Sequence, residues 1–167
     1  IALAPGGDVF VLEREGALKL YRARDRRIEL VHRLGVACRD VDHDGVANEC
    51  GGLGLPLDPG LRDNRLLYLY YSPLEPSVNR LSRFHFDGAR LTDERMLFEV
   101  ATDREHTTCH EGGSLAFGAD GNLYLSTGDN TNPFESDGYA PIDEREGRRE
   151  FDAQRSAGNS NDLRGSL

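Results

Sequence analysis

Cys109-His110-Glu111-Gly112-Gly113-Ser114-Leu115-Ala116-Phe117 runs directly into Gly118-Ala119-Asp120-Gly121-Asn122, and then into Leu123-Tyr124-Leu125-Ser126-Thr127-Gly128-Asp129-Asn130. Two short apolar runs flank a turn rich in Gly, Asp and Asn, residues that readily take the positive φ of a tight turn. The stretch predicts a β-hairpin. A thiol and a histidine stand just before the glycine pair, so His110 sits at the mouth of a strand, where scaffolds present chemistry on loops.

The same grammar recurs on both sides of the hairpin. Val9-Phe10-Val11-Leu12 and Ala17-Leu18-Lys19-Leu20-Tyr21 flank Arg14-Glu15-Gly16, and Ile28-Glu29-Leu30-Val31 supplies a further strand. Leu66-Leu67-Tyr68-Leu69-Tyr70-Tyr71 is apolar and aromatic without a break, as in a strand buried on both faces. The second unit predicts four strands, at about 53–57, 66–71, 78–86 and 95–100. Val9-Phe10-Val11, Leu67-Tyr68-Leu69 and Leu123-Tyr124-Leu125 each follow a turn, and they recur every 56 to 58 residues or so. A period of that order is a mark of solenoids, propellers or arrays. Four antiparallel strands per repeat make a propeller blade; tandem hairpins in a sandwich are the alternative. No segment carries sustained helical periodicity, and the charged, helix-compatible run Glu144–Arg155 lacks an apolar stripe.

Composition narrows the function classes. The chain has 167 residues, 38% of them hydrophobic, and a net charge of −9. Such a balance argues against nucleic acid and anionic membrane as partners, since both select Lys/Arg surfaces. No apolar stretch is long enough to span a bilayer. Three cysteines, Cys38, Cys50 and Cys109, are too few for a disulfide-built scaffold, although two could pair. The chain opens on Ile1-Ala2-Leu3-Ala4 and closes on Leu163-Arg164-Gly165-Ser166-Leu167. Both ends read as cut within a larger fold, so residues 1–167 are expected to be one partial domain.

If the repeats are blades, topology places the chemistry. Links from the last strand of one blade to the first strand of the next fall on one face of the disc, near its axis. The first link contains Asp40 to Glu49 and the second Thr107 to Glu111. Glu49 and His110 are therefore expected in neighbouring sectors of one cleft. His32, His43, His85 and His106 lack this context and are expected at the surface.

Several segments, in order, resemble the glucose/sorbosone dehydrogenase family. They are Glu49-Cys50-Gly51-Gly52-Leu53-Gly54-Leu55, Asn64 to Ser72, Asn79-Arg80-Leu81-Ser82-Arg83-Phe84, His110 to Phe117, Gly128-Asp129-Asn130 and Asn161-Asp162-Leu163-Arg164-Gly165. The resemblance implies an all-β, six-bladed β-propeller, of which this chain holds about two and a half blades and needs the rest for closure. It implies a quinoprotein sugar (aldose) dehydrogenase using pyrroloquinoline quinone (PQQ), usually with calcium, in a secreted or periplasmic setting with an external electron acceptor. His110 matches the family's general base, which takes the hydroxyl proton while hydride leaves for the quinone. Histidine suits that task because it titrates near neutrality. Glu49 matches a sugar-contacting position. Cys109 stands beside the base, where relatives often carry Asp or His, and joins Glu49 as the implied substrate-binding pair. The residues that hold the quinone, and the usual calcium site, belong to later blades. The same resemblance covers propeller binding modules such as hedgehog-interacting protein, the non-catalytic alternative.

Two loops stand apart. Asp40-Val41-Asp42-His43-Asp44-Gly45 alternates carboxylates in the manner of a calcium loop, and an acidic solvated loop is the competing reading. Cys38 and Cys50 bracket it, so a disulfide could tie it in an oxidising compartment. If Asp40, Asp42 and Asp44 ligate calcium, millimolar calcium should raise the melting temperature by mass action. Asp42→Ala should abolish that rise; an unchanged wild-type melt rejects the site. The segment 128–162, roughly 35 residues between strands, exceeds ordinary connections and is expected to form a cleft rim.

Overall fold

The computed structural model describes residues 1–37, 48–134 and 136–167. Its strands come in consecutive antiparallel meanders. Strands β1 (Ala2–Leu3), β2 (Val9–Leu12), β3 (Ala17–Arg22) and β4 (Arg27–Arg33) make one four-stranded sheet in chain order. Strands β5 (Gly52–Gly54), β6 (Leu66–Tyr71), β7 (Val78–Phe86) and β8 (Leu91–Ala101) make a second, and β9 (Gly112–Phe117) pairs with β10 (Leu123–Thr127). Two four-stranded meanders and the first hairpin of a third are two and a half blades.

The expected strands at 66–71 and 78–86 fall where their patterns put them. Two boundaries differ. β5 stops at Gly54 because Pro56 follows it and lacks an N–H for a ladder, so Leu57 keeps only a single bridge to Leu67. β8 begins at Leu91, earlier than the pattern suggested, because its polar run Thr92–Arg95 is an exposed outer-strand surface. Such a surface carries no alternation signal.

Blade turns use the residues that the sequence marked. Gly16 closes the β2–β3 turn at φ 86°, and the Asp87 carboxylate accepts the Ala89 and Arg90 N–H groups at 2.8 and 2.7 Å. In the β9–β10 turn, Asp120 accepts the Asn122 N–H at 3.0 Å ahead of Gly121 at φ 82°.

The core lies between the first two blades. Phe10, Leu18 and Leu20 meet Leu67, Leu69, Tyr71, Phe84 and Phe86, and the Phe10 and Phe86 rings stand edge to face at 5.1 Å. Each such side chain, fully buried, contributes roughly 1.5–3 kcal/mol. Near β5 the blades approach backbone to backbone, and glycine permits it. A Cβ at Gly52 would meet Glu13 O at 2.7 Å, and one at Gly54 would meet Gly113 O at 2.5 Å. The Gly52 N–H donates to Arg14 O at 2.8 Å across that seam.

After β10 the chain makes a long excursion containing two short 3-10 turns, Arg149–Phe151 and Ala153–Arg155. These turns are what the charged run 144–155 forms in place of a helix, for want of an apolar face to pack. The excursion returns beside β10, where Thr127 N–H donates to Ser166 O at 2.9 Å and Gly165 N–H to Gly128 O at 2.9 Å. No helix among the described residues is long and apolar enough to cross a membrane.

Candidate active site

Three loop ends meet where the second and third blades begin. Glu49 ends the link into β5, His110 ends the link into β9, and Asp129 follows β10. His110 adopts φ 54°, a left-handed conformation that an L-residue holds only when neighbours over-determine it. The neighbours are visible. The His110 N–H donates to Glu49 Oε2 at 2.6 Å, its carbonyl accepts from Asn130 N–H at 3.1 Å, and the Glu49 N–H donates to Thr108 O at 3.2 Å. The expected meeting of Glu49 and His110 from successive links is therefore observed.

The imidazole is oriented from one side. Nδ1 lies 2.9 Å from Asp129 Oδ1, and that same oxygen accepts the Thr131 N–H at 3.0 Å, which fixes the carboxylate. A carboxylate accepts only, so this contact calls for Nδ1 as the donor, which in the neutral imidazole leaves the lone pair on Nε2. The His110 side chain is 40% exposed, and Glu49 beside it is exposed as well. An oriented, part-exposed imidazole with one nitrogen left unbonded among the described residues can take a proton from a hydroxyl.

Behind this exposed layer is a buried one. Glu111 is 2% exposed, and its Oε2 accepts from Asn79 Nδ2 at 2.5 Å. Its Oε1 accepts from Asn130 Nδ2 at 3.4 Å and from Cys50 Sγ at 3.5 Å. Burial pushes the Glu111 carboxyl up to about 7, against the pull of Asn79, Cys50 and the Arg104 charge, with Glu49 adding to the rise. From its ordinary 4.5 to about 7, the folded state holds a proton that the unfolded chain has released. This group's contribution to stability therefore falls as pH rises through that window. Burial also drives the Cys50 thiol well above its usual range, and the Glu111 charge adds to it, so Cys50 is no nucleophile.

Cys109, the other residue of the implied substrate-binding pair, lies in the interior. It is 0% exposed and donates its N–H to Thr107 Oγ1 at 3.1 Å. The chain turns between Cys109 and His110, so that Cys109 is enclosed while the His110 side chain is 40% exposed. Cys50 is a buried thiol beside Glu111, which gives the proposed Cys38–Cys50 pairing no support from this end. Cys38, His43 and the calcium candidates Asp40, Asp42 and Asp44 lie outside the described residues. Among the described residues no cluster of three or more His, Cys, Asp or Glu is placed to hold a metal ion. His106 is exposed and bonded to Asp103 at 2.6 Å, as a surface histidine. His32 and His85 are half-buried instead, His32 with its ring 5.5 Å from that of Phe84.

Within segment 128–162, the buried Asp143 accepts from Ser136 Oγ at 2.6 Å and from Arg145 at 2.7 and 2.8 Å. Those bonds, Arg145 first, hold its carboxyl well below the usual range. Asp143 is thus a structural anchor of the excursion. Arg155 ties the excursion to the site by donating to Asn130 O at 2.6 Å.

A profile of the family described as Glucose / Sorbosone dehydrogenase matches residues 1–147. The chain belongs to that family. An uncharacterized protein of Synechocystis sp. is 32% identical over 136 residues, which is 80% of this chain and 33% of that protein. The PQQ-bound aldose sugar dehydrogenase of Streptomyces coelicolor superposes with a TM-score of 0.65 at 28% identity, covering 81% of this chain and 39% of that one. A putative oxidoreductase (glucose dehydrogenase) of Thermus thermophilus gives 0.67 at 26% identity, covering 90% and 48%. The chain thus spans a third to a half of the length of these glucose/sorbosone dehydrogenase relatives. Its sheets are blades of a β-propeller, the fold class that the resemblance implied.

Asp129, Glu111, Asn79 and Asn130 carry much of the site; residue-by-residue reading gave the first three no role, and took Asn130 only as a sugar or cation contact of the long segment. Asp129 and Asn130 stood in the quoted motif Gly128-Asp129-Asn130. Their position at the strand end opposite His110 was the available signal.

Proposed function

We propose that this chain supplies the proton-accepting half of a quinoprotein sugar (aldose) dehydrogenase site. The observation that carries the reading is the Asp129–His110 pair, which occupies Nδ1 and leaves Nε2 free, among the described residues, on a side chain that is 40% exposed, with the exposed Glu49 bonded to the His110 N–H. His110 Nε2 takes the proton of the sugar hydroxyl, and Asp129 supports the imidazolium that forms. Glu49 has one oxygen committed to the His110 N–H, and its second oxygen accepts a further sugar hydroxyl. When bound, pyrroloquinoline quinone supplies the two-electron acceptor for the sugar C–H hydride, so loss of proton and hydride leaves a carbonyl. The donor set fits the proton side of that chemistry: an oriented base and a carboxylate on one open face. The family resemblance assigns the groups that hold the quinone to later blades, and the PQQ-bound Streptomyces relative supports the choice of cofactor.

The test is sugar-dependent reduction of an artificial electron-acceptor dye by the complete gene product with added pyrroloquinoline quinone. Reduction should require sugar, quinone and protein together. A protein that binds neither quinone nor sugar overturns the reading and leaves a propeller binding module.

A further inference from the structure

The Glu111 carboxyl has no part in the proton transfer just described, yet it lies next in sequence to His110 and is almost wholly buried. Three donors converge on its two oxygens, each from a different piece of the fold. Cys50 belongs to the link that carries Glu49, Asn79 opens β7, and Asn130 follows Asp129 directly. Asn79 is itself held from behind, its Oδ1 accepting Ser72 Oγ at 2.7 Å, while Ser72 Oγ accepts the Gly51 N–H at 3.2 Å. Asn130 is held likewise, its Oδ1 accepting the Asp103 N–H at 2.6 Å. Both amides thus have their oxygens occupied and turn their NH2 groups towards Glu111, with Asn130 Nδ2 also reaching Thr107 O and Cys109 O at 3.4 Å. Only a group that accepts on both atoms answers three donors at once, and a carboxylate is such a group.

We propose that Glu111 is a positioning residue of the site: its carboxylate fastens the Glu49–Cys50 link, β7 and the Asp129–Asn130 corner to one another, and so holds Asp129 against His110 and sets the tautomer of the imidazole. The catalytic importance of this device rests on the reading of His110 as base; its existence does not. The groups facing Glu111 are Cys50 and Glu49 from the first link, Tyr70 from β6 and Arg104 from the stretch after β8. Arg164, from the returning excursion, lines the same polar recess together with His110. Of these groups, the Tyr70 hydroxyl lies close to Asn79 as well. Since burial brings Glu111 to about 7, a proton arrives there near neutrality and turns one acceptor into a donor. One of the three contacts to the carboxyl oxygens is then given up.

The test is the tautomer of His110, read by long-range proton–nitrogen NMR on the complete gene product labelled with 15N in histidine, at a pH where imidazole is neutral. Wild type should give the Nδ1–H form as the major species. Glu111→Gln puts an NH2 group against a donor, and it should make the Nε2–H form the major one. Glu111→Gln combined with Asn79→Asp restores a donor facing an acceptor at that contact and should return the Nδ1–H form. A folded Glu111→Gln protein with an unchanged His110 tautomer overturns the proposal. If Glu111→Gln does not fold, Asn79→Ala decides: loss of the Nδ1–H form supports the proposal, and retention rejects it. A tautomer shift in a protein with no sugar oxidation would keep the positioning role and reject the dehydrogenase reading.

Discussion

Replacing His110 with glutamine is expected to lower sugar oxidation by roughly 10²–10⁴-fold, the usual cost of removing a general base. Glutamine keeps a polar amide of similar reach and removes the nitrogen that titrates. The backbone bonds that fix the corner, from the His110 N–H to Glu49 and from Asn130 to the His110 carbonyl, do not involve the imidazole and should survive. Quinone affinity should change little, because the resemblance assigns its clamp to later blades. Asp129→Asn should act in the same direction through the tautomer, since an amide can donate to Nδ1 and turn the basic lone pair inward. Steady-state dye reduction at saturating quinone measures both effects. Unimpaired turnover in His110→Gln would sink the assignment of the base.

The second large effect is structural. A Cβ at Gly128 would lie 1.7 Å from the His110 carbonyl oxygen and 2.4 Å from its carbon. Both are backbone atoms at the corner that presents the imidazole, so no side chain can swing away to make room. Gly128→Ala should cost about 3 kcal/mol or more of folding stability, at or above the upper end for overpacked sites. Gly138 is the control, since it sits at φ 85° but has nothing within 4 Å of an added Cβ. Gly138→Ala should cost only the conformational term, about 1–2 kcal/mol. Urea midpoints for the two variants separate the cases, and equal shifts would show that the close approach at Gly128 relaxes freely.

Much of the fold was legible in local chemistry. Leu66–Tyr71 declared a strand buried on both faces, and in the structure Leu67 and Leu69 face the inter-blade core while the Tyr68 ring lies 5.4 Å from that of Phe117 in the third blade. Asp87-Gly88 and Asp120-Gly121 declared their turns because an aspartate beside a glycine satisfies a reversed backbone wherever it occurs. Regular recurrence of these signals was enough for blades, and blade topology was enough to bring Glu49 to His110. These are local or periodic properties, and a linear sequence displays them in full.

The partners of His110 were set by register. At its turn end the β9–β10 hairpin pairs Leu123 with Phe117 and Leu125 with Leu115, a ladder that would carry on to set Asn130 against His110. A one-residue slip between Leu125 and Thr127 pairs Thr127 with Gly112 instead, and so brings Asp129 opposite the imidazole. A bulge of this kind arises from what the strand meets in space. Here the constraints are the close approach of Gly112 and Gly128 and the returning chain that bonds Thr127 and Gly128. The burial of Glu111 has the same origin: it is a charged residue next to an exposed histidine, and it faces inward because Asn79 and Asn130 wait there with their amides. Composition and pattern determined the blades, the turns and the meeting of the two links. Which carboxylate orients the histidine, and which is buried beneath it, was decided by non-local packing that no local stretch of sequence encodes.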